Sequence, residues 1–101
     1  MDKFTIPFTK PEQFNQEFLH AIKDRNLGKI TSSVYDPKEK KFILTFSKLG
    51  QSTIVYDVIP KDSSLLLSKK EEKIAFTHKP FKQEIANKLA SVLKNLGALK
   101  Q

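Results

Sequence analysis

The feature that most constrains this chain is a change of apolar period along it. Phe81, Ile85, Leu89, Val92, Leu96 and Leu99 recur at steps of four, four, three, four and three, which is one continuous helical face. Upstream, the apolar residues alternate instead. Phe4, Ile6 and Phe8 alternate, as do Phe42, Leu44 and Phe46, and Ile54, Tyr56 and Val58. A period of two belongs to a strand with one buried face. The chain therefore predicts strands that bury one side, followed by a long helix that has to lie on them.

Turn chemistry sets the boundaries. Pro7 cannot donate to a ladder, so the first strand lies at an edge or ends there. Thr9-Lys10-Pro11-Glu12 fits a capping box, and Phe14, Phe18, Ala21 and Ile22 share one face, which predicts a helix over 10–26 stopped by Gly28. Strands are expected over 30–35, 42–46 and 52–59, separated by Asp36-Pro37-Lys38-Glu39-Lys40 and Gly50-Gln51. Two more strands are expected over 64–68 and 73–77, with Lys69-Lys70-Glu71-Glu72 as a charged hairpin turn. Connections this short make sequential strands pair as an antiparallel meander. The expected class is α+β in a single domain over 1–101: strand, helix, antiparallel meander of four to five strands, long C-terminal helix, with the helices packed on one face of the sheet.

The C-terminal helix carries a second stripe of Ala86, Ala90, Leu93 and Gly97. Either the helix lies deeply across the sheet, or the stripe is partly exposed and binds a partner helix, a second copy in a dimer, or a lipid surface. Gly97 is expected to loosen the helix end.

The absence of cysteine excludes disulfides, thiolate metal sites and cysteine nucleophiles. The longest apolar run, Leu65-Leu66-Leu67, is too short to span a membrane, and no secretory signal opens the chain, so a cytoplasmic location is expected. His20 and His78 have no spaced carboxylate cluster and no triad partner, so neither a metal site, a cofactor nor a catalytic residue is assigned. An enzyme would need a convergent acid–base pair that the sequence does not offer. Asp57 interrupts an apolar strand. It is ordinary if its face is exposed, and needs a lysine or tyrosine partner if both faces are covered.

Two binding readings remain. The first is a non-catalytic interaction protein with an apolar groove between the sheet and residues 80–99, lined by Phe42, Leu44, Phe46, Ile54, Tyr56, Ile85, Leu89 and Val92, which takes a small apolar molecule or a protein partner. The same eight residues serve equally to close the core. The second rests on a net charge of +7. Lys38, Lys40, Lys41, Lys69, Lys70 and Lys73 would form a basic patch for a polyanion if the predicted turns met at one end of the sheet. With one arginine, Arg25, among 18 basic residues, such binding of nucleic acid would be non-specific backbone contact.

The order of these segments, 4–8, 10–26, the meander from 30 to 77 and the helix from 80, resembles the START-like helix-grip fold. That resemblance implies an apolar cavity between sheet and C-terminal helix. The stretch Pro80-Phe81-Lys82-Gln83-Glu84-Ile85 is also similar to one in small proteins of bacterial polyhydroxyalkanoate granule systems, which share the element order.

Overall fold

The computed structural model describes residues 2–23, 31–47, 50–75, 79–80 and 82–100, with backbone alone at 31 and 100. Its elements run β1 (Lys3–Ile6), α1 (Pro11–Lys23), β2 (Thr31–Asp36), β3 (Lys41–Ser47), β4 (Gln51–Pro60), β5 (Leu65–Lys73), α2 (Lys82–Asn95) and β6 (Leu99–Lys100). The strands form one antiparallel sheet in the order β2-β3-β4-β5-β1-β6. The class is α+β, as the alternation of periods demands.

Alternation decides which side is buried. Phe4 and Ile6, Phe42, Leu44 and Phe46, Ile54, Tyr56 and Val58, and Leu65 and Leu67 all point to one face. Phe14, Phe18 and Ile22 of α1 and Leu89, Val92 and Leu93 of α2 cover that face. Phe42 is held between two rings of α1, with centroids 5.1 Å from Phe14 and 5.5 Å from Phe18. Edge and tilted contacts of this kind add to the burial of each ring.

The helix ends follow backbone chemistry. Phe14 N–H donates to Lys10 C=O at 3.2 Å, the first bond of α1. This makes Lys10 the N-cap, not Thr9, and puts Pro11 at the first helical position, where its missing N–H costs nothing. The expected C-terminal part of that helix and Gly28 lie outside the described residues. At the other end, Ala98 N–H donates to Leu93 C=O and Gly97 N–H to Lys94 C=O, each at 3.0 Å. This is a Schellman motif with Gly97 at φ +93°. Gly97 therefore stops α2 and reverses the chain; it does not merely loosen it. Leu99, read above as helical, instead belongs to β6 and pairs with Thr5 of β1. β1 ends before Pro7 and lies inside the sheet.

The expected hairpin at 69–72 is corrected as well. Residues 65–73 form one strand along β4, and the second strand expected over 73–77 does not form at Ile74 and Ala75; its remaining residues, 76–77, are not described. Tyr56 pairs with Lys69 and Val55 with Glu71, so Lys70 is an extra residue, a β-bulge. The bulge shifts the parity of the strand. Lys69 and Glu72, three apart, thereby come to one face, with Nζ and Oε2 at 3.4 Å.

Candidate functional site

Among the described residues, a cleft lies on the covered side. It opens where the ends of β3, β4 and β5 pass under the start of α2. Phe46, Ser52, Ile54, Glu72, Ile74, Lys82, Ile85, Ala86 and Leu89 line it, and its volume is about 30 Å³. Alternation brings Phe46 and Ile54 to the floor, and helical spacing brings Ile85, Ala86 and Leu89 to the wall. Four of the eight residues expected in an apolar groove therefore meet here: Phe46, Ile54, Ile85 and Leu89. The other four, Phe42, Leu44, Tyr56 and Val92, are packed in the core. Ser52, Glu72, Ile74, Lys82 and Ala86 were not foreseen as lining. Ile74 and Glu72 are not legible as lining because the four charges at 69–72 read as a turn.

Ser52 is 1% exposed, and its hydroxyl oxygen accepts the Ala75 N–H at 2.8 Å. It thereby pins the chain as it leaves β5. Charges mark the mouth. Glu72 Oε2 lies 3.5 Å from Lys82 Nζ and 3.4 Å from Lys69 Nζ, and Lys69 Nζ is 2.7 Å from Asp2 Oδ1. These acids hold the Lys69 ammonium above its ordinary pKa, chiefly through the Asp2 hydrogen bond. Burial, reinforced by the charges of Asp2 and Glu72, pushes the Tyr56 phenol up to about 12.

The six candidate polyanion lysines do not gather on one face. Lys69 stands on the covered face, opposite Tyr56, and Lys41 on the uncovered face, opposite Asp57. Lys38 and Lys40 belong to the β2–β3 turn, which Asp36 shapes by accepting the Lys38 and Glu39 N–H groups at 3.0 and 3.3 Å. That turn reaches β4, since Val58 N–H donates to Lys40 C=O. Lys70 lies close enough to Asp57 to stabilise its charge, whereas Lys73 sits four residues further along β4, opposite Thr53.

Asp57 faces outward and still has the lysine partner, Lys41 Nζ, at 2.6 Å. The hydrogen bond lowers the carboxyl pKa and raises that of the ammonium. His20 is exposed at the end of α1, and His78 lies outside the described residues. Among the described residues no three metal-ligating side chains converge, and no helix is long and apolar enough to cross a membrane. Comparison with protein-family models, with characterised proteins and with solved structures finds no match.

Proposed function

We propose that this chain is a non-catalytic binding protein whose cleft beneath α2 receives an apolar group. The observation that carries this reading is the cleft's makeup: six apolar side chains, one satisfied serine, and a Glu72–Lys82 pair at the mouth. Walls of this kind gain by excluding water, and the charged rim orients what enters. Small-molecule sites run to roughly 300–1,000 Å³. A cleft of about 30 Å³ therefore suits the tip of an apolar side chain on a protein partner, and a free small apolar molecule would need α2 to move outward. The element order, with α2 across the covered face, also supports a helix-grip reading, in which this region is the cavity between sheet and helix.

Native mass spectrometry of chain purified without denaturation tests the proposal, with Ala86→Phe as the variant that fills the cleft. The expected result is a bound partner or adduct on the wild type whose occupancy falls about tenfold in A86F, a loss of about 1.4 kcal/mol. A bare wild-type chain, or equal binding by A86F, overturns it.

A second reading, contact with polyanions, is favoured by the net charge of +7 and by Lys38, Lys40, Lys41 and Lys70, which neighbour one another around the β2–β3 turn and Asp57. Binding to single-stranded nucleic acid that weakens steeply with added salt is its signature, and salt-independent binding removes it.

A further inference from the structure

The sheet has two edges, and they differ. β6 is two residues long, whereas β2 is a six-residue strand in unbroken register with β3. Natural edges are commonly guarded by lysine, proline or a bulge. β2, Thr-Ser-Ser-Val-Tyr-Asp, has none of these, and its one charge is Asp36 in a chain of net charge +7.

The hydrogen-bond phase shows what β2 offers. Val58 N–H donates to Lys40 C=O, so Lys40 and Val58 form a hydrogen-bonded pair, and by alternation so do Phe42 with Tyr56 and Leu44 with Ile54. The backbone of Lys41, Ile43 and Thr45 therefore turns to β2, where it meets Asp36, Val34 and Ser32. What remains is the backbone of Thr31, Ser33 and Tyr35, whose N–H and C=O groups point off an edge that no other described strand pairs with. On the uncovered face, Val55, Ile43 and Val34 form an apolar row that ends at this edge, where Val34 is 57% exposed.

We propose that β2 pairs antiparallel with β2 of a second copy of this chain, about a two-fold axis at Val34. Face parity permits pairings centred on a residue, and centring on Val34 places it against the partner's Val34. Ser33 then exchanges hydrogen bonds with the partner's Tyr35, and Tyr35 with the partner's Ser33. The apolar row continues unbroken across the axis. Asp36 falls opposite the partner's Ser32, so no like charges meet.

Helix α1 lies close to this edge. α1 touches both β2, through the Ser33 hydroxyl donating to Asn15 Oδ1 at 2.6 Å, and β3, through Phe42. It packs chiefly on β2 and reaches β3 through the Phe42 ring, so two copies paired edge to edge bring their α1 helices side by side on the covered face. A single strand pair buries less than the roughly 1,600 Å² of a standard interface, so association is weak and depends on concentration. This interface is separate from the cleft beneath α2.

Sedimentation equilibrium from about 10 µM to about 1 mM, spanning weak association constants, tests it. The wild-type mass should climb from 11.6 kDa towards twice that value. Val34→Lys should stay monomeric over the same range, while Leu99→Lys, on the opposite edge, should behave as wild type. Because the chain has no cysteine, Val34→Cys is a clean reporter of register. In a non-hydrogen-bonded pair the Cα atoms lie about 4.5 Å apart, within disulfide range, so V34C should cross-link under mild oxidation and Leu99→Cys should not. A chain that stays monomeric to about 1 mM overturns the proposal. So does a dimer that V34K leaves intact, or one that V34C fails to cross-link.

Discussion

Gly97 and Pro7 meet where α2 hands the chain to β6: a β-carbon on Gly97 would lie 2.7 Å from Cγ of Pro7 and 3.0 Å from its Cδ. The glycine is required twice over, by this contact and by its φ of +93°. Gly97→Ala should lose on the order of 1–3 kcal/mol, from left-handed strain plus displacement of the proline ring. In a domain of this size that lowers Tm by at least about 5 °C, readable by calorimetry. An unchanged Tm would mean that the helix end rearranges at no cost.

Ser52 is a polar side chain in an apolar cleft floor, and the Ala75 N–H explains it. Ser52→Ala removes the acceptor and leaves that N–H without this partner, at a cost of about 1–3 kcal/mol. The urea midpoint should fall with the slope unchanged, and the Ala75 amide should exchange faster. Ser47→Ala, on an exposed strand end, should move the midpoint little.

Tyr56 predicts instability in alkali. Its folded pKa of about 12 exceeds the ordinary value of 10.0. The unfolded chain therefore releases this proton first. Stability is full below about pH 10 and falls as pH rises towards about 12, by roughly 2–3 kcal/mol in all. Ultraviolet titration should show Tyr35, which is also raised but lies at the partly exposed edge, ionising before Tyr56. Tyr56→Phe should flatten the alkaline limb.

The Lys41–Asp57 pair works in the opposite direction. Asp57 has a depressed carboxyl pKa, so its contribution is present above the ordinary carboxylate range and is lost as pH falls through the lower folded value. Any Tm difference between wild type and Asp57→Asn should hold at neutral pH and close in acid. Both side chains are partly exposed, so added salt should shrink the difference.

Reading residues alone locates the buried face of β1, β3 and β4 and of both helices, because a period of two or of 3.6 is a local property of the chain. Phe42, Leu44 and Phe46 lie inward, and Phe14 and Phe18 meet them, as their spacing requires. The eight-residue groove divides because the alternatives, lining and core, use the same apolar chemistry. Only depth separates Ile85, half-buried at the cleft, from Phe42 and Val92, sealed between helices and sheet.

Three features needed the tertiary structure. Residues 69–72 read as a turn because four consecutive charges favour solvent, yet pairing with β4 holds them extended and a bulge absorbs the mismatch. Leu99 keeps helical spacing, but Gly97 has already ended the helix, and β1 offers the last residues a ladder. Strand order decides which strand is left as an edge, and hence that the outward apolar row of Val55, Ile43 and Val34 ends at Val34. Local periodicity is written in neighbouring residues and sets which face of each element is apolar. The partners of each element depend on contacts distant in sequence, and the free energy of those contacts exists only once the chain is folded.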